Sequence, residues 1–256
     1  MAYIGSTDYL IEVAKGNIAG ASLINKFGAN FSVGGNYAPV SIGGIYQTPQ
    51  VAGAVTLRVK AGNANDTAAG TGAREITIQG LDATGALQTE SVATAGTSAS
   101  SNFAGTWTRV FRAWVSASGT YATSAAGSHT AAIVIESTAP ADWATIDATN
   151  FPKGQSQIAA YTVPLGFTAY LLDYVLTIDS GKSVDFILFK RENILETAAP
   201  YSAMRTVLQS RGLAAPLTRK FRDPIRFEAL TDIGFMAKGS GTPEVTADFN
   251  ILLIAD

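Results

Sequence analysis

Apolar and polar residues alternate through two long stretches of this chain, and the rest of it shows little periodicity. In the first stretch Val55, Leu57 and Val59 alternate with Thr56, Arg58 and Lys60, and Ile76 and Ile78 alternate with Glu75, Thr77 and Gln79. A period of two predicts strands with one face buried. The segment "REITIQGLDATGALQTESVAT" (74–94) then reads as a hairpin, with Asp82 and Gly85 supplying turn conformations that other residues resist. Further strands are predicted over 107–115 and over "AAIVIES", separated by the polar loop "ASGTYATSAAGSHT".

The second stretch is cleaner. Leu172, Tyr174, Leu176 and Ile178 share one predicted face, "IDSGKS" makes a turn, and Val184, Phe186 and Leu188 line the next strand of a hairpin. Ile233, Phe235 and Ala237 line another, and Val245, Ala247, Phe249, Ile251 and Leu253 form the last. With "QIAAYTV" and "IRFEA" this makes at least six short strands after residue 157, a density that points to a sandwich or jelly roll. Residues 204–210 fit a helix and a strand equally well.

Residues 1–50 lack such a pattern. A helical turn fits 9–15, but glycines at 16, 20, 28, 34, 35, 43 and 44 break any long helix. The segment 137–157 carries two prolines and no period. The fold predicted is therefore all-β: two tandem β-sandwich or jelly-roll-like domains preceded by an extended N-terminal arm. Its divisions are an arm over 1–50, a first sandwich over 51–138, a linker over 139–157 and a second, jelly-roll-like sandwich over 158–256. Leu23, Ile24, Phe27 and Phe31 are too apolar for a freely solvated arm, which makes them candidate anchors on a partner surface or a neighbouring subunit. The alternative is that the segment is an irregular edge of the first domain.

Composition narrows the functional classes. Of 256 residues, 47% are hydrophobic and only 15% charged, below the roughly 25% of an average soluble protein. Gly, Ala, Ser and Thr replace the missing charge, leaving a small, neutral surface suited to dry packing against other subunits. A net charge of -2 argues against a general nucleic-acid or anionic-membrane binder. No apolar run reaches the roughly 18 residues that span a bilayer, and the N-terminus has no secretory pattern. Cysteine is absent, so disulfides and thiolate chemistry are too.

Reactive constellations are equally sparse. His129, the single histidine, lies in a polar loop and reads as solvated, which leaves no metal site or catalytic triad. Asp173, Asp179 and Asp185 surround a predicted hairpin and read as turn and edge chemistry. Asn63, Asn65 and Asp66 offer oxygen ligands to calcium, but match neither the EF-hand loop nor the repeated calcium-binding nonapeptide. No catalytic residue, cofactor or metal is expected. One charge pattern stands out: no acid occurs between Glu196 and Asp223, while Arg205, Arg211, Arg219, Lys220 and Arg222 give five positive charges. An acidic protein partner, a phosphate group and plain solvation are the alternatives for this strip.

"EVAKGNIAGASLINKFGAN" resembles the opening of a group of virion structural proteins from tailed bacteriophages. "NDTAAGTGAREITIQGLDATGALQTESV" and "AYTVPLGFTAYLLDYVLTIDSGKSVDFILFKREN" resemble their middle, and "DIGFMAKGSGTPEVTADFNILLI" their final hairpin. The resemblance implies a non-enzymatic particle component, assembled in the host cytoplasm into the virion. The places implied are the capsid surface, as a decoration, cement or head-fibre-base protein docked on the major capsid protein through the arm, or the tail or baseplate. A homo-oligomer is expected because Ile187, Phe189, Leu252 and Ile254 would leave apolar faces wet on a lone sandwich, and a trimer is favoured by analogy. Nucleic acid and membrane are not expected partners. From another class, a carbohydrate-binding adhesin could use Trp107, Trp114, Trp143 or Tyr121 as stacking surfaces, although Trp107 and Trp114 sit in a predicted strand and read first as core.

Overall fold

The computed structural model describes residues 6–121, 123, 127–149 and 154–256. Helix α1 (Ser6–Ala14) opens them, followed by strands β1 (Ala21–Asn30) and β2 (Ala38–Pro39). Seven strands come next: β3 (Val55–Ala61), β4 (Ala73–Leu81), β5 (Leu87–Ala93), β6 (Ala99–Trp107), β7 (Arg109–Ser118), β8 (Ile133–Ser137) and β9 (Asp142–Ile146). The last seven are β10 (Ala160–Thr162), β11 (Phe167–Ile178), β12 (Val184–Arg191), β13 (Arg205–Leu213), β14 (Leu217–Phe227), β15 (Asp232–Gly239) and β16 (Val245–Ala255).

The first sandwich packs a sheet of order β6-β3-β8-β9 on one of order β5-β4-β7. Alternation decides which side chains meet: Leu57 and Val59 from β3, Ile76 and Ile78 from β4, and Ile133 and Ile135 from β8 are all essentially inaccessible to solvent. The hairpin expected over 74–94 forms in register, with Ile76 opposite Val92 and Leu81 opposite Leu87. Asp82 shapes its turn by accepting hydrogen bonds from the backbone N–H of Thr84 and Ala86, and Gly85 takes a positive φ of 81°. The sandwich extends past its expected end, because β9 falls within the expected linker and pairs with β8.

The second sandwich has sheets of order β1-β16-β11-β14 and β10-β15-β12-β13, all antiparallel. Strand β2 joins the second sheet by pairing with Met236 and Ala237, further along β15 than the Asp232–Gly234 stretch that pairs with β10. Consecutive strands from β13 onwards alternate between the sheets, as β11 and β12 also do, giving the two interlocked four-strand positions of a jelly roll. The first sandwich is thus inserted between β2 and β10, which share one strand position of the second.

Two expected hairpins therefore differ from those observed. "IDSGKS" turns the chain between β11 in one sheet and β12 in the other, and β15 and β16 likewise lie in opposite sheets. Alternating patterns report burial but not which buried strand is the neighbour. A bulge between Leu171 and Asp173 also shifts the inward face of β11, so Leu171, Tyr174 and Leu176 are buried while Leu172 is not.

After α1, the N-terminal segment lies along the second sandwich through β1 and β2. Strand β1 runs antiparallel to β16 over ten residue pairs, from Ala21 opposite Ile254 to Asn30 opposite Val245. Gly28 makes the fit, since a Cβ there would stand 2.1 Å from the Ala159 nitrogen and 2.2 Å from the Val40 oxygen. Part of the apolar surface expected to need another subunit is covered within the chain. Phe189 and Leu252 are only 4% and 9% exposed, and α1 lies against β1, the neighbour of Leu252's strand.

Candidate functional site

The basic strip maps onto one side of the jelly roll. β13 and β14 are the outer strands of their two sheets, nine and eleven residues long, and neither pairs on its outer side among the described residues. Their apolar residues Val207, Leu208, Leu217, Phe221 and Ile225 reach the core only partly, while most other positions are exposed. Arg205, Arg211, Arg219, Lys220 and Arg222 are all exposed here. Arg205 pairs with Glu192, Arg211 stands 3.8 Å from Asp185, and Arg219 stacks over Phe221 at 5.1 Å. Lys220 and Arg222 have no ion-pair partner among the described residues. Exposed pairs of this kind contribute about 0–1 kcal/mol to stability, so the strip is not there to hold the fold. Long unpaired edges are normally blunted by charge against adventitious pairing, and the same charge can select a partner.

The expected arm anchors have intramolecular roles. Ile24 packs against the jelly-roll core, Phe27 lies 4.9 Å beneath the Arg112 guanidinium, Phe31 is partly buried, and Leu23 is 38% exposed.

The densest polar cluster, which sequence patterning missed, lies at the seam between the sandwiches. Arg109 of β7 and Asp232 of β15 are both fully buried and meet in a two-pronged pair, Nε to Oδ1 and Nη2 to Oδ2, each 2.8 Å. Asp232 Oδ2 also accepts from Arg191 Nη2 at 3.0 Å, and Oδ1 from the Thr162 hydroxyl at 2.6 Å. Tyr46, in the connection between the sandwiches, bonds the Thr162 hydroxyl at 2.7 Å. Burial alone would raise the Asp232 pKa, but Arg109, Thr162 and Arg191 outweigh it and hold the carboxyl below its usual range. The signal available in sequence was a lone arginine between Trp107 and Phe111 in an apolar strand. Its partner lies 123 residues away, beyond the reach of any local pattern.

His129 is buried at 6% exposure, not solvated as expected: Nδ1 meets the Ser128 hydroxyl at 3.1 Å and Nε2 the Asp147 backbone carbonyl at 3.1 Å. The Nε2 contact thus ties this loop to residue 147. The Asp66 carboxylate accepts from the backbone N–H of Ala73, Thr130 and Ala131 at 2.8–3.1 Å, an internal use of the oxygens considered for calcium. No group of three metal-ligating side chains occurs among the described residues. Asp173, at the β11 bulge, accepts from Asn250 at 2.7 Å, Asp179 from the Glu244 N–H at 3.1 Å and Asp185 from the Gly212 N–H at 2.8 Å, so each carboxylate has a partner within the fold. Trp107 and Trp143 are core residues, Tyr121 is 89% exposed, and Trp114 is partly exposed.

Neither family models nor curated proteins match this chain. Among solved structures it is similar to a capsid chain in T=1 particles derived from infectious bursal disease virus, at 12% identity and a TM-score of 0.27, over 92% of this chain and 70% of that one. A structure of the Gx strain of the same virus matches at 10% identity and 0.23, over 100% and 84%. The subviral particle of its protein VP2 matches at 10% and 0.22, over 96% and 77%. Overlap this shallow assigns neither fold nor role.

Proposed function

We propose that this protein is a non-enzymatic structural component of a tailed-phage virion. In this reading it sits on the head surface as a decoration, cement or fibre-base protein, docked on the major capsid protein. The resemblance in sequence supplies the class. The observation that carries the docking role is the β13–β14 side: two long strands without outer partners among the described residues, five exposed cations, and half-covered apolar residues between them. Such an edge offers main-chain hydrogen bonds, apolar contact and charge to an acidic neighbour together.

Docking is assigned to this edge and not to the N-terminal segment, because the outer side of β1 is already met by α1 and by the Ile158 N–H that donates to Phe27 O. A closed trimer presents three such edges to a lattice and limits growth. Mass spectrometry of purified particles tests the class, with absence of the protein overturning it. Electron microscopy of the particle tests the position, and density on the tail or baseplate would replace the head assignment. Light scattering tests the oligomer: a stable monomer at micromolar concentration would remove the trimer.

A further inference from the structure

A second surface lies where the sandwiches meet, on the side away from β13 and β14 in the sheet order. The segment 154–158 runs beside β7, with Val115 N–H donating to Gly154 O at 2.8 Å and Ser156 N–H to Ala113 O at 2.7 Å. It then reaches β1, where Ile158 N–H donates to Phe27 O at 3.0 Å. One extended segment thereby bridges a sheet of the first sandwich to β1 and β16 of the second. Above it lie two adjoining hollows of about 510 and 310 Å³ that share Gln155, the size range of small-ligand sites.

The lining is unusual for a surface this poor in charge. Trp114 and Arg112, two apart on β7, line the larger hollow, and Asn25, Gln157 and Asp248 line the smaller. Gln155 and Gln157 line the hollows, and neither amide makes a side-chain hydrogen bond among the described residues. An amide that lines a hollow with donor and acceptor uncommitted is available to a ligand. Asp248 has no ion pair among the described residues, and partial burial raises its pKa. Arg112 gives one Nη2 hydrogen bond to the Asn25 carbonyl at 2.9 Å and keeps other donors.

We infer that this groove is a saccharide-binding site, with Trp114 as the stacking surface and Gln155, Gln157, Asn25, Arg112 and Asp248 as partners for sugar hydroxyls. Each hydroxyl both donates and accepts, and amides do the same through one planar group, so a lining of amides fits a hydroxyl-dense ligand. The apolar C–H face of a pyranose needs a flat apolar partner, which the indole provides. One cation and one anion leave the groove without net charge, which selects a neutral glycan over a sialylated or sulfated one. The site stands independently of whether the protein belongs to a virion.

The test is a glycan array probed with the full-length chain, followed by calorimetry on the glycans retained. Wild type should retain neutral hexose-containing glycans, and Trp114→Ala should weaken them by at least about tenfold, as loss of a central aromatic contact does. Gln155→Ala should weaken them too, with the thermal melt of both variants unchanged. An R219E/K220E/R222E variant, altered on the opposite edge, should bind them like wild type. Three results would overturn the site: an empty array, retention that both groove variants leave intact, or retention of acidic glycans alone.

Discussion

The seam and the β13–β14 edge both concentrate arginine, and they use it in opposite ways. Arg109 lies in a dry interior where each guanidinium nitrogen has an acceptor, Asp232 for Nε and Nη2 and the Thr108 carbonyl at 2.7 Å for Nη1. Arg219 and Arg222 lie in water, where a charge has little to gain from the fold and much to offer a partner. Removing one partner of a buried pair strands the other charge, whereas removing an exposed charge lets water replace it. The contrast assigns the seam to geometry, joining two sandwiches into one unit, and the edge to recognition.

The largest expected effect breaks the frame that supports both regions. Deleting residues 1–30 removes β1 from β16 and uncovers the jelly-roll core, so the second sandwich should lose its cooperative melt, followed by circular dichroism. Retention of a sharp two-step melt would show that β1 is dispensable. Next comes the seam itself. Arg109→Ala should destabilise by about 3–5 kcal/mol in urea titrations, and Arg109→Met with Asp232→Leu by less, because the fully buried charges go together and only the part-buried Arg191 loses its partner. Gly28→Ala should cost about 1–3 kcal/mol, since its Cβ meets backbone that cannot yield easily.

Acid sharpens the comparison further. The Asp232 carboxyl is held below its ordinary 3.8, so its contribution is complete above that value and is lost as pH falls through the lowered one. The stability gap between wild type and the Met–Leu double variant should therefore shrink below about pH 4. The smallest effect on stability belongs to the edge. R219E/K220E/R222E should shift the melt by no more than about 0.5 kcal/mol while abolishing incorporation into particles.

Alternation along the strands made the all-β class and the membership of both cores legible from sequence, and the turn chemistry of Asp82 and Gly85 placed the hairpin of β4 and β5 correctly. What stayed hidden was non-local. β1 reads as irregular because its inward positions include Lys26, Gly28 and Asn30, which serve contacts with the first sandwich and with neighbouring backbone instead of an apolar face. The bulge in β11 moved a face that strict period two had placed on Leu172. Arg109 and Asp232 carry no local signal that pairs them, and only the insertion of one sandwich into the other brings them together. The basic strip was legible because its residues are consecutive along two neighbouring edges, and a surface needs no distant partner to be read.

Hydrogen–deuterium exchange on the full chain, free and within purified particles, tests the central division most directly. The β13–β14 amides that lack partners should exchange fast in the free protein and slowly in the particle, while amides beside Arg109 and Asp232 stay slow in both. Equal exchange of β13 and β14 in the two states would contradict the docking edge.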